Sequence, residues 1–235
     1  MSRSSTDFNA HRILYEDNHL IVVNKQAGEL VQGDKTGDDT LADKVKDFIK
    51  ARDNKPGNVY LGIPHRIDRP VSGIVIYTKT SKGLSRMSDL FRRKDIEKTY
   101  WAVVEGSPSK PHQRLTGWMI KNEKQNKSYV HSTEAANRKF AALSYKLLAQ
   151  SDHYSLLEVA LETGRHHQIR AQLSDAGCII KGDLKYGAKR SNPDGSIHLH
   201  ARRVRFQHPV KDEELEITAP CTADNLWQFF EETQL

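Results

Sequence analysis

His65-Arg66-Ile67-Asp68-Arg69-Pro70-Val71-Ser72-Gly73-Ile74-Val75-Ile76-Tyr77-Thr78 is the stretch on which the reading of this chain turns. Its second half, 73–78, is a compact β-branched run with the composition of a buried strand. Its first half sets one carboxylate between two guanidiniums and closes on a Ser-Gly turn, so the aspartate loop feeds straight into a rigid element. If residues 66–68 are extended, side chains two apart share a face: Arg66 and Asp68 project together while Ile67 points inward. A carboxylate beside arginine is expected to stay ionised at neutral pH, because the nearby cation favours the charged form. That suits a nucleophile or base and makes a poor general acid. A purely structural Asp–Arg pair would read the same way.

Upstream, Ile13-Leu14-Tyr15 and Leu20-Ile21-Val22-Val23 flank an Asp17-Asn18 turn and predict a hairpin, after a polar start expected to fray over residues 1–9. Asp39 or Thr40 can cap a helix with Leu41, Val45, Phe48 and Ile49 at helical spacing. Downstream, Ser81 is expected to cap a helix carrying Leu84, Met87, Leu90 and Phe91, ending on Arg92-Arg93-Lys94 where the macrodipole favours cations. Strands are predicted at 99–105, 115–120, 127–131, 139–149 and 154–162, and consecutive strands without helices between them imply antiparallel pairing. A helix over 166–175 should end at Gly177, a left-handed cap residue. Residues 188–196 read as a mobile loop, 197–206 and 214–218 as closing strands, and 223–231 as a terminal helix. The sum is an α+β protein, a large mixed and mostly antiparallel β-sheet flanked by helices, read as a single domain over 10–235.

The chain has 235 residues, and 36 Lys+Arg against 30 Asp+Glu give a net charge of +6. That balance suits a polyanionic partner without requiring one. Within 110–139 lie Lys110, Arg114, Lys121, Lys124, Lys127, Arg138 and Lys139 against Glu123 and Glu134. This strip is either a phosphate-tracking surface or a solvated hairpin. Cys178 and Cys221 lack CxxC spacing and read as packed thiols of a reducing compartment. No stretch approaches the roughly 20 apolar residues of a membrane span, and the polar start has no secretion signal. A soluble, cytoplasmic protein with no membrane partner is expected.

Thr163-Gly164-Arg165-His166-His167-Gln168-Ile169-Arg170 is the second run with chemical content. A helix opening near Gly164 would set His166 and Arg170 on one face at i, i+4, with cations near a helix start that favours anions. The bland alternative is a buried Ile169/Leu173 stripe with the polar residues in water. The histidines His65, His166, His167, His198 and His200 raise a metal site. Adjacent helical histidines diverge by about 100°, however, and neither His-Glu-x-x-His nor a Cys/His framework is present. No metal ligand is expected, and, with no phosphate-binding glycine loop or dinucleotide fingerprint, no cofactor. In the strand around 98–106, Tyr100 and Trp101 fall on opposite faces, one for the core and one offering a π-surface to a base and a hydroxyl for proton handling.

Taken in order, these segments resemble the RluA-type family of RNA pseudouridine synthases. Asn24-Lys25-Gln26-Ala27-Gly28 is similar to its Asn-Lys-Pro-x-Gly motif, 65–73 to its His-Arg-Leu-Asp-Arg-x-Thr-Ser-Gly signature, Tyr100 to its strand tyrosine and 163–170 to its Thr-Gly-Arg-x-His-Gln-Ile-Arg motif. Lys181-Gly182-Asp183, Tyr186-Gly187 and Leu199-His200-Ala201 match later landmarks, and the resemblance spans about 12–220. Gln26, Ile67 and Val71 depart from the pattern without touching a charged site residue. The resemblance implies a pseudouridine synthase fold with a central RNA-binding cleft, Asp68 as catalytic aspartate, Arg170 as its ion-pair partner and Tyr100 against the target base. It makes Arg66 the candidate to fill the gap left by a flipped base. Contacts to structured, stem-loop-like ribosomal or transfer RNA are expected from His65, Arg66, Arg69, Arg165, His166, His167, Lys121, Lys124 and Lys127. An S4-type domain, carried in front by many relatives, is expected to be missing, leaving RNA selection to a monomeric catalytic domain with no obligatory protein partner. A non-catalytic RNA assembly factor and a metal-dependent hydrolase are the competing readings.

Overall fold

The structure, a computed structural model, describes residues 8–33 and 37–234. Among the described residues, ten strands and four α-helices give the expected α+β architecture. The described residues fall into two compact units, one reaching Ile96 and including Arg203–Pro220, the other comprising Glu97–Arg202 and the residues from Cys221 onward.

In the first unit, β1 (Ile13–Glu16), β2 (Leu20–Lys25) and β3 (Ser72–Thr78) pair antiparallel in sequence order. Asp17 closes the β1–β2 turn by accepting the N–H groups of His19 at 2.7 Å and Leu20 at 2.8 Å. Every residue of β3 is buried, so its central run Ile74-Val75-Ile76-Tyr77 is apolar without a break where a half-exposed strand would alternate. Helix α1 (Leu41–Arg52), capped by Thr40, lays Leu41, Val45 and Ile49 against Ile21, Val23, Val75 and Tyr77, which are alternate residues of β2 and β3. Helix α2 (Ser81–Arg93) packs on β3 with Met87 fully buried. Its cap is Thr80 instead of Ser81, with Oγ1 accepting the Gly83 N–H at 3.0 Å. Either hydroxyl satisfies the composition rule, and only the backbone geometry separates them. Phe8 is buried and edge-on to Phe48, 5.3 Å between ring centroids, so the core begins inside the segment expected to fray. Asn9 is exposed, and residues 1–7 lie outside the described residues. Strand β10 (Glu214–Thr218) pairs with residues 203–207 of β9 (Leu199–Gln207).

The second unit is an antiparallel array in the spatial order β4 (Ile96–Glu105), β8 (Tyr154–Leu161), β7 (Lys139–Gln150), β5 (His112–Asn122) and β6 (Lys127–His131). Helix α3 (Gln168–Asp175) packs Ala171 with Met119, Ala141 and Tyr186. Helix α4 (Asn225–Glu232), capped by Asp224, brings Trp227 and Phe230 against Trp101, Val103 and Leu156. Each large apolar side chain so buried contributes roughly 1.5–3 kcal/mol. As expected, α3 stops at Gly177, whose φ of +80° lets its N–H reach the Ser174 carbonyl at 3.0 Å and the Cys178 N–H reach that of Leu173 at 2.8 Å. Residues 188–196 form an irregular loop that the structure staples down, correcting its expected mobility. Buried Asn192 accepts from Lys181 Nζ at 2.7 Å and donates to Ser196 Oγ at 3.1 Å and His198 Nδ1 at 3.0 Å. Among the described residues no helix is long and apolar enough to cross a membrane.

Candidate active site

In the first unit the Asp68 loop is irregular until the Val71 N–H donates to the Asp68 carbonyl at 3.1 Å, closing a turn that delivers the chain into β3. Asp68 is half-buried, Arg66 exposed, and Ile67 packs on the core as the two-residue alternation requires. The turn is held by Lys25, the last residue of β2 and fully buried. Its Nζ donates to the carbonyls of Gln26 at 2.9 Å, Arg69 at 3.0 Å and Val71 at 2.6 Å, so all three ammonium donors go to backbone. Burial pulls the Lys25 pKa down to about 7 against the opposing charges of Glu29 and Asp68.

Further ties lock the same loop. Gly28, at φ +89°, donates its N–H to the Arg69 carbonyl at 2.8 Å, and Arg69 Nε returns a bond to the Gly28 carbonyl at 2.9 Å. Arg69 also pairs with Asp38 at 3.0 Å. His65 accepts the Ile76 N–H on Nε2 at 2.8 Å and stacks on Phe91 at 4.6 Å, which fixes its ring against β3. Beneath, Glu29 pairs with Arg12 and, at 3.3 Å, with Lys44. Burial works against the Glu29 carboxylate, but Arg12, the Gln26 N–H and Lys44 outweigh it and hold its pKa below the usual range.

The second unit carries the other named residues. Tyr100 lies half-exposed on β4 opposite Val159, and its neighbour Trp101 is in the core with the Arg202 guanidinium 4.2 Å above its ring. Arg170 is buried and held by Asp183 through a two-pronged pair, Nε to Oδ2 at 2.7 Å and Nη2 to Oδ1 at 2.8 Å. The fork fixes the plane of the guanidinium, which lies 5.1 Å from the centroid of the Tyr186 ring. The Asp183 loop depends on Gly182, at φ +86°, where an added Cβ would come within 2.8 Å of the Ser196 carbonyl and 2.9 Å of the Asn192 amide.

Helix α3 begins at Gln168, two residues later than expected, so His166 and Arg170 do not share a helical face. The physical reason is Gln168 itself. Its side-chain oxygen accepts from the Arg165 N–H at 2.9 Å and from Thr163 Oγ1 at 2.8 Å, sealing a turn ahead of the helix. His167 then takes a left-handed conformation, φ 54°. Its ring stacks on that of His166 at 3.7 Å, where helical geometry would have splayed the two apart. His166 Nδ1 meets Ser128 Oγ at 2.8 Å, and His167 Nδ1 meets Tyr186 Oη at 3.0 Å. Burial, then the charges of Arg170 and His166, push the His167 pKa down to about 2 and keep that ring neutral. Tyr186 Oη also accepts the Ser128 N–H at 2.8 Å.

Lys127 reaches over the Tyr186 ring at 5.1 Å, while Lys121 pairs with Glu123 at 2.6 Å and Lys124 stands exposed in the β5–β6 turn. Arg165, also exposed, donates Nε to the Phe140 carbonyl at 3.0 Å. The second unit thus brings His167, Arg170 and Lys127 around Tyr186, with His166 stacked on His167, while Arg165 is turned to the Phe140 carbonyl. The first holds His65, Arg66, Asp68 and Arg69 on one loop. Lys25, Ser128, Asp183 and Tyr186 were given no role in the sequence reading. Most of their partners are distant in the chain, and the motif matches at 24–28 and 181–187 pointed to three of them without saying what they hold. Among the described residues no group of three or more His, Cys, Asp or Glu side chains could hold a metal ion.

Residues 19–175 match the RNA pseudouridylate synthase family, and the chain belongs to that family, in its RluA-type branch. The ribosomal large subunit pseudouridine synthase C of Vibrio parahaemolyticus is 32% identical over 216 residues, 89% of this chain and 65% of the relative. The ribosomal large subunit pseudouridine synthase D of Zymomonas mobilis is 29% identical over 225 residues, 90% of this chain and 69% of the relative. This chain therefore spans about two thirds of the length of such relatives. Human RNA pseudouridylate synthase domain containing 4 shares the fold, with a TM-score of 0.76 at 23% identity over 95% of this chain and 92% of its own.

Proposed function

We propose that this chain isomerises uridines in structured RNA, ribosomal or transfer, to pseudouridine, as a monomeric cytoplasmic enzyme without metal or cofactor. The bond between ribose C1′ and uracil N1 breaks, the base rotates, C1′ joins C5, and C5 gives up its proton while N1 gains one, so the product is an isomer of the substrate. Asp68 is the ionised catalytic aspartate, Arg170 its ion-pair partner, Tyr100 the ring against the base, and Arg66 the side chain that takes the place of the flipped uridine. Turning a base out of its stack costs a few kcal/mol, part of which an inserted guanidinium offsets. His65, Arg69, Arg165, His166, His167, Lys121, Lys124 and Lys127 contribute to holding the RNA. One catalytic domain over 10–235 accords with a family match that runs through both compact units.

The observation that carries the reading is the Asp68 turn, fastened to the Asn24–Gly28 segment by Lys25 inside the stretch 19–175 that matches the family. The test is to incubate candidate RNA with the protein in EDTA and map carbodiimide-reactive uridines. Modification should vanish in Asp68→Asn while RNA binding persists, and full activity in that variant would overturn the assignment. The basic β5–β6 hairpin favours a second reading, a non-catalytic RNA assembly factor. That reading requires Asp68→Asn to rescue every phenotype of a deletion strain.

A further inference from the structure

Outside the residues already assigned, the outer face of β5, β6 and β7 carries aromatic side chains in register. Trp118 stands directly opposite both His131 and Phe140, and Ile120 opposite Tyr129. Directly opposed residues share a face, so these five lie on the side turned away from α3, whose partners Met119 and Ala141 alternate with them. Tyr129 is 39% and Phe140 40% exposed, unusual for rings on a sheet. The rings are held in place, Tyr129 by its hydroxyl bond to Gln125 and Phe140 by edge contact with Trp118 at 5.6 Å.

Cations border the patch. Lys127 lies 5.5 Å from the Tyr129 ring, and Arg165 is anchored on the Phe140 carbonyl. Arg114, on the same face, is matched by Glu162 at 2.6 Å. Flat aromatics with a basic border fit a ligand that alternates π-surfaces with phosphates, which is a single-stranded nucleic acid. A protein partner would favour a larger apolar patch and fewer cations.

We propose that this face is a stacking platform for unpaired nucleotides of the RNA substrate. The proposal rests on the isomerase reading for the identity of the RNA and reaches beyond it in naming a second contact surface. Trp118 supplies the probe, because Trp101 and Trp227 are buried at 6% and 3% exposure. A short unstructured oligoribonucleotide should quench tryptophan fluorescence, and Trp118→Phe should remove the quenching. Tyr129→Ala and Phe140→Ala should each weaken binding at least about fivefold, Phe140→Tyr should preserve it, and Phe140→Leu should not. Absence of quenching, or unchanged affinity in both alanine variants, overturns the platform. So does concentration-dependent dimerisation that those variants abolish. These readouts need no turnover: Asp68-dependent modification without quenching sinks the platform alone, and quenching without any modification sinks the isomerase reading alone.

Discussion

The Asp68 loop and the Arg170 pocket each bury a cation, and they satisfy it by different means. Lys25 is surrounded by three neutral carbonyls, whereas Arg170 is gripped by a carboxylate. The first arrangement fastens backbone to backbone and leaves the cation undischarged, which is why burial drags its proton affinity down. The second pairs charge with charge and fixes the direction of a planar group. One tie sets where a loop sits; the other sets how a side chain points.

That contrast is broken most severely at Asp183. Asp183→Ala leaves a guanidinium buried without its carboxylate and should cost about 3–5 kcal/mol in urea unfolding. Lys25→Met removes three donors from buried carbonyls without stranding a charge, and should cost about 2–3 kcal/mol. If the two losses were equal, the distinction between a backbone fastener and a charge pair would fail.

The lysine adds a pH signature. An unfolded chain keeps this proton to about pH 10.5 and the folded chain only to about 7, so between those values the unfolded state binds more protons. The wild type should therefore gain stability over Lys25→Met as pH rises from 7 towards 10.5, by up to about 1.4 kcal/mol per pH unit, with no such trend below the folded value. Unfolding curves at pH 6, 8 and 9.5 (buffers spanning roughly this window) read the difference.

Smaller effects sharpen the picture within the second unit. Tyr186→Phe deprives the buried Ser128 N–H of its acceptor and should cost about 1–2 kcal/mol. Reversing Lys121, Lys124 and Lys127 to Glu should move stability by less than about 1 kcal/mol, since these are surface charges. The same change should weaken RNA binding and flatten its salt dependence by about 0.7–0.9 in log–log slope for each phosphate that is no longer neutralised. An unchanged slope would reduce the hairpin to solvated surface.

Much of the scaffold was legible because it is written in local periodicity. The strands at 127–131 and 214–218 fall where alternation placed them, and Gly177 ends α3 through the backbone freedom that glycine alone supplies. What escaped is closure by side chains onto distant backbone. Nothing local in Gln168 says that it will seal a turn at Thr163 and delay the helix past both histidines, or that Asn192 will pin its loop to Lys181 and His198. The site divides likewise: Asp68, Tyr100 and Arg170 stand in motifs that carry a role, while Lys25 and Asp183 stand in motifs that carry none until folding shows which backbone and which guanidinium they hold.

Gly182 makes the Arg170 pocket adjustable from a distance. A single methyl at that position would wedge against the 192–196 loop and lever the next residue, Asp183, off its guanidinium. The arginine would then lose its partner although neither member of the ion pair had been altered, so a change at this glycine should register as lost stability, as Asp183→Ala does, from a position that makes no bond to the guanidinium.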